Sequence, residues 1–269
     1  MPKRRTNIFL VLLFALFCWT AAGLAAGQDS RPALTQVGVI DALLAGGFTG
    51  SYPVGGLRCL GDFGLGTFDA LDGEMVVLDG VVYQVPASGM VRRAPDSLTT
   101  PFAQVTVFRS EGAVALSPAA SLKDLEAALD RRLGDANVFA AARVDAGFAS
   151  LTARSVPRQT PPYRTLAEAA KEQSVFRFVS VQGTLIGLRG PAFARGLGVP
   201  GWHWHFLTSD RTRGGHVLDC VLAGGAQAAF MTLRRLEVLL PEGGLSGLDL
   251  AKDRADELKA VETAPETVK

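Results

Sequence analysis

The chain has 269 residues, 48% hydrophobic and 20% charged, with 30 glycines and 14 prolines. That composition supports a packed core in one large or two small domains and excludes disordered, collagenous and coiled-coil classes. Twenty-seven basic residues face 26 acidic ones, so no net positive field draws the protein onto nucleic acid or an anionic membrane.

Lys3, Arg4 and Arg5 precede an apolar run from Ile8 to Leu24 that closes on Ala25, Ala26 and Gly27. This order reads as a cleaved secretory signal over 1–26, an uncleaved anchor being the alternative. It predicts an exported protein, periplasmic or secreted, without stable membrane association after cleavage. Phe17 ahead of Cys18 argues against lipid attachment, which needs a small residue there. The mature chain keeps Cys59 and Cys220, which either pair after export or stay as two thiols.

Val37 to Leu44 predicts a short helix or strand. From Gly61 to Val85 short β-type runs form a meander, with Asp79-Gly80 as a hairpin turn because glycine accepts the positive φ it needs. Phe102 to Phe108 predicts a strand. Ser121 to Leu133 carries leucines at helical spacing behind Ser121 as N-cap. Pro157, Pro161 and Pro162 make 154–163 an extended loop. A boundary there divides the mature chain into an N-terminal α/β domain, 27–155, and a β-rich C-terminal domain with a tail, 156–269. Leu166 to Gln173 predicts a short helix, and Phe176–Leu188, Trp202–Leu207, Val217–Leu222 and Ala228–Leu240 predict strands of a mainly antiparallel sheet. The tail from Leu248 to Glu262 predicts a surface helix.

The three histidines of the chain, His203, His205 and His216, fall within one short stretch. On a strand, residues two apart share a face, so His203 and His205 project together while Trp202, Trp204 and Phe206 cover the other side. If the loop 208–214 returns the chain antiparallel, His205 faces His216. Three imidazoles then converge, a ligand set for Zn2+ or another divalent transition metal with a position left open for chemistry.

The run G-L-G-V-P-G-W-H-W-H-F-L-T-S-D-R-T-R-G-G-H-V-L-D (196–219), with G-D-F-G-L-G-T-F-D-A-L-D-G-E-M (61–75) and S-V-P-R-Q (155–159), resembles the α-acetolactate decarboxylases from about residue 35 to 262. The resemblance implies a two-domain α/β enzyme of α+β character and a homodimer. It implies a carboxy-lyase that converts 2-acetolactate to acetoin and carbon dioxide, in the setting of acetoin and butanediol metabolism. It also implies a zinc-type metal on His203, His205 and His216, catalytic roles for Glu74, for Arg154, which also meets the substrate with Arg158 close by, and for Glu262 folding back from the tail to the metal, and Thr67 lining the pocket. Taken alone, Glu74 would be a solvated turn residue and Arg154 a surface charge. Trp202 and Trp204 depart from the smaller residues expected beside the histidines.

Decarboxylation of a β-keto acid leaves an electron pair to be held as an enediolate, which a metal stabilises. Arg154 would orient the carboxylate, and it or Glu74 would place the returning proton. Two other readings of a three-histidine site are an exported zinc hydrolase or hydratase and a non-catalytic metal-binding module.

Overall fold

In the computed structural model, residues 32–242 and 244–262 are described; the expected leader, 1–26, lies outside them. β1 (Leu34–Val37) leads through α1 (Ile40–Leu44) to β2 (Tyr52–Pro53) and α2 (Val54–Leu60). Next come β3 (Phe63–Thr67), β4 (Glu74–Leu78), β5 (Val81–Val85), β6 (Arg92–Arg93), β7 (Thr99–Thr100), β8 (Ala103–Thr106) and β9 (Gly112–Leu116). After α3 (Leu122–Leu133) follow β10 (Phe139–Ser155), α4 (Leu166–Ala169), β11 (Ser174–Gly190) and β12 (Gly201–Thr208). β13 (Gly214–Leu222), β14 (Ala226–Leu233), β15 (Leu236–Leu239) and α5 (Ala255–Glu262) end the described chain. Among the described residues no helix is long and apolar enough to cross a membrane.

Local signals account for much of this. Asp79 and Gly80 both take positive φ (53° and 74°) between β4 and β5, the geometry of the expected hairpin turn. Ser121 caps α3: its hydroxyl accepts from the Asp124 amide while the Asp124 carboxylate accepts from the Ser121 amide, and Gly134 closes the helix in the left-handed region, so both ends are satisfied from local sequence. Thr165 and Glu168 repeat the capping box on α4.

Seven strands form one sheet in the order β15-β1-β8-β3-β4-β5-β6. Six form a second, β11-β12-β13-β10-β14-β9, and an additional β10–β11 pairing closes β10 to β13 into a ring. Leu34, Phe63, Leu65, Val76, Leu78 and Val85 of the first sheet pack on Ala141, Ile186, Leu188, Leu207, Met231 and Leu233 of the second. Each large side chain so buried contributes about 1.5–3 kcal/mol. α3 lays Leu125 and Leu129 on the other side of the second sheet, against Phe148, Leu151, Trp204, Phe206 and Cys220.

Several expectations need correction. β9 and the 17-residue β10 were absent from the sequence reading, because β10 is rich in alanine, a residue depleted in strands. It is a strand through tertiary pairing, with β11 along one edge and β13 and β14 along the other. Arg154 and Ser155, expected in a loop, are its last two residues. The expected strand 228–240 is two strands broken at Arg234 and Arg235, and the second, β15, leaves the antiparallel sheet to pair parallel with β1. The sheets do not divide at 155/156: the second takes β9 and β10 from before that point, and the first takes β15 from after it. The tail helix is confined to 255–262, with the Asp253 carboxylate accepting from the Ala255 amide at its start. Cys59 is exposed, Cys220 is buried, and both are free thiols.

Candidate metal centre

β12 and β13 are joined by a turn held from within. The Thr208 amide donates to the Arg213 carbonyl at 2.9 Å, and the Thr208 hydroxyl donates to Asp210 Oδ1 at 2.6 Å. The Asp210 carboxylate also accepts from the Thr212 amide. That closure sets the register in which His205 lies opposite His216, as the spacing predicted. His203, two residues back, shares their face. The ring centroids of the three are 5.0, 4.9 and 5.4 Å apart, and one ligand atom from each lies within 4.8 Å of the others.

All three rings are buried. Burial, reinforced by the Arg154 charge, pushes the pKa of His203 down to about 3 and holds His205 and His216 well below the ordinary value. The imidazoles are therefore neutral, the form that ligates. His205 Nδ1 lies 2.7 Å from the Met75 carbonyl. A carbonyl only accepts, so Nδ1 carries the proton and Nε2 carries the lone pair. His203 Nε2 and His216 Nδ1 are 3.0 Å apart. His203 Nδ1, His205 Nε2 and His216 Nε2 are buried without any hydrogen-bond partner. Three orphaned nitrogens on neutral, convergent rings are costly unless something binds them. The donor set fits a divalent transition metal with three protein ligands.

The other expected residues surround this cluster. Glu74 opens β4 and pairs with Thr67 across the β3–β4 ladder, the Thr67 hydroxyl donating to the Gly73 carbonyl at 2.8 Å. Gly73 turns the chain at φ 87°, where a Cβ would collide with the Val85 carbonyl. Far from being a solvated turn residue, Glu74 is 7% exposed, and its Oε2 lies 3.6 Å from His205 Nε2. Burial pushes its pKa up to about 7, with Arg154 opposing and Glu262 adding to the rise. Arg154, read alone as a surface charge, is buried beside His216, its partner in the β10–β13 ladder. Its Nη1 is 3.7 Å from Glu74 Oε1, and its Nη2 donates to the Val261 carbonyl at 2.9 Å, tying α5 to the site. Glu262 Oε2 reaches to 3.7 Å from His216 Nε2. Burial raises its pKa to about 7, with Arg154 opposing.

Arg158 is not brought in: it is exposed and pairs with Asp69 at 3.0 Å. The apolar wall of the cleft, Ile40, Leu43, Leu71, Phe102, Val156 and Leu166, has no counterpart among the residues expected from the sequence. α1, α4 and the segments between them supply it, and no motif marks residues that pack there by tertiary contact alone. The Met75 carbonyl that fixes the His205 tautomer was equally invisible, since backbone groups carry no sequence signal. The cavity is about 40 Å³, and its mixed apolar and charged lining suits a small polar molecule with short alkyl groups.

Residues 34–244 match the family model described as alpha-acetolactate decarboxylase. An alpha-acetolactate decarboxylase of Methanosarcina mazei is 44% identical over 235 residues, 87% of this chain and 82% of that protein. One of Raoultella terrigena is 38% identical over 247 residues, 91% and 95% of the two chains. The crystal structure of alpha-acetolactate decarboxylase from Bacillus subtilis strain 168 superposes with a TM-score of 0.84 at 30% identity, covering 86% of this chain and 100% of that one.

Proposed function

The chain belongs to the alpha-acetolactate decarboxylase family, carboxy-lyases that convert 2-acetolactate to acetoin and carbon dioxide, and from that membership we propose how its residues divide the reaction. His203, His205 and His216 hold a divalent transition-metal ion, zinc or another that accepts imidazole ligands. The observation that carries this reading is the convergence of three buried, neutral imidazole rings, each with one nitrogen left without a hydrogen-bond partner.

When bound, such an ion supplies Lewis acidity toward the ketone of the substrate. Arg154, the one guanidinium lining the cleft among the described residues, takes the substrate carboxylate through charge-assisted hydrogen bonds and so aligns the bond that breaks. As that bond breaks, carbon dioxide leaves and its electron pair passes to the former ketone as an enediolate. Thr67 and the apolar wall hold the methyl-bearing carbons and exclude water. A proton must then reach one carbon of the enediolate to give acetoin. Among the described residues Glu74 and Glu262 are the two carboxyls that face the imidazoles, on β4 and α5 respectively, and delivery from one side gives a single enantiomer.

Export and a homodimer belong to the same reading, supported by the basic, apolar and small-residue order of the N-terminus and by the family resemblance. The test is to purify the chain lacking residues 1–26, measure bound metal, and follow acetoin and carbon dioxide from racemic acetolactate. Acetoin formation should be lost on chelation, return with added zinc, and be absent in His205→Ala. Activity that survives complete metal removal would overturn the metal role.

A further inference from the structure

The strand that carries two of the histidines has a second face. Along β12, Trp202, Trp204 and Phe206 alternate with His203 and His205 and point to the side covered by α3. Trp204 Nε1 donates to Glu126 Oε1 at 3.0 Å, and Trp202 Nε1 donates to Asp130 Oδ1 at 2.9 Å. The two indoles stack on each other, centroids 5.0 Å apart and planes 19° from parallel. Asp130 also accepts from Arg189 Nε at 2.9 Å, and Arg189 is the β11 residue paired with Trp202.

The spacing is matched on both partners. Glu126 and Asp130 are one helical turn apart, about 6 Å along α3. Trp202 and Trp204 are two strand residues apart, about 6.6 Å along β12. Two indole donors on a strand thus meet two carboxylates on a helix face. The strand beneath is cut to fit: a Cβ at Gly187, the partner of Trp204, would collide with the indole ring, and a Cβ at Gly183 would collide with the ring of Phe206. The aromatic rings lie across β11 only because those two positions carry no side chain. Slipping β12 by one residue would turn the indoles to the opposite face and break both bonds at once.

We propose that this clamp of Trp202 and Trp204 against Asp130 and Glu126 positions β12 so that His203 and His205 meet His216 in the arrangement that accepts a metal ion. The four are positioning residues: none touches the cleft, and each acts through the strand. The inference rests on the reading that the imidazoles bind metal. Ligand distances must hold within about 0.2 Å, so a strand freed to shift by a few tenths of an ångström loses affinity before it loses its fold.

The experiment uses cobalt(II) in place of zinc on the chain lacking residues 1–26, read by its visible absorption and by competition with a chelator. Trp204→Phe keeps an aromatic ring and removes the N–H; Glu126→Leu removes the acceptor; Glu126→Gln keeps one. The first two should bind cobalt about 10-fold more weakly, as loss of a supporting partner does at metal sites, with an altered absorption band. Glu126→Gln should retain both properties. Combining Trp204→Phe with Glu126→Leu should cost no more than either alone. Ser121→Ala, which removes the N-cap of the same helix at the end away from the indoles, should lower the melting temperature and leave the cobalt spectrum unchanged. Cobalt affinity within twofold of the parent in both Trp204→Phe and Glu126→Leu, with the parent spectrum, would overturn the clamp while leaving the metal reading intact. A parent chain that binds no cobalt or zinc would overturn the metal reading, and the clamp with it.

Discussion

Replacing Arg154 by methionine tests how the site takes hold of its substrate. The guanidinium is 5% exposed, 3.7 Å from Glu74 Oε1 and bonded to the Val261 carbonyl, and methionine keeps the unbranched stem while removing every donor. Two charge-assisted hydrogen bonds to the substrate carboxylate are worth about 1.5–3 kcal/mol each. Water entering the vacated space recovers part of that, which places the loss near the lower end, about 3–4 kcal/mol, or a fall of about 10²- to 10³-fold in kcat/KM. Arg154→Lys keeps a charge without the planar fork and should fall between the two. Initial rates of acetoin formation across acetolactate concentrations, with a thermal melt to show that each variant is folded, give the numbers. A folded Arg154→Met enzyme whose kcat/KM stays within threefold of the parent would refute the claim that this guanidinium binds the carboxylate. The same variant removes the tie to α5, so trypsin should cut the chain near Lys252 and Lys259 faster than in the parent.

Other expectations follow from the fold. Gly80→Ala forces a side chain into the left-handed region at φ 74° and should destabilise the β4–β5 hairpin by about 1 kcal/mol, read from urea unfolding; an unchanged midpoint would contradict the turn geometry. In the chain lacking residues 1–26, a thiol reagent at neutral pH should modify one cysteine in the native protein and two after unfolding. Cys59 is exposed, whereas burial pushes the Cys220 thiol up to about 12. Hydrogen bonds from the Ser121 and Thr165 hydroxyls and amides hold the Asp124 and Glu168 carboxyls below their ordinary values of 3.8 and 4.5. The caps thus contribute stability that is present above those values and lost as pH falls through the depressed ones. Asp124→Asn should flatten the acid limb of the stability curve, and an identical acid limb would show that the box does not titrate with folding.

The sequence by itself determined what local chemistry decides. The Asp79-Gly80 turn, the Ser121 cap and the alternation along 201–208 each act within a few residues, so they are legible without knowing the rest of the chain. The three histidines were legible for a related reason: a two-residue spacing fixes a common strand face, and one hairpin brings the third ring opposite. Glu74, Arg154 and Glu262 were reached through resemblance, since a lone carboxylate after Asp72-Gly73 or a lone arginine before a proline-rich loop looks like a solvated charge. Tertiary structure alone decided that Glu74 and Arg154 are buried and Glu262 half-buried: β3 and β4 carry Glu74 under the second sheet, the β10–β13 ladder sets Arg154 beside His216, and α5 returns from the far end of the chain with Glu262. It also decided β10, whose alanines carry little strand preference until three neighbouring strands use both its edges, and β15, which crosses to pair with β1. Pairing partners and burial are properties of segments tens to hundreds of residues apart, and no local propensity encodes them.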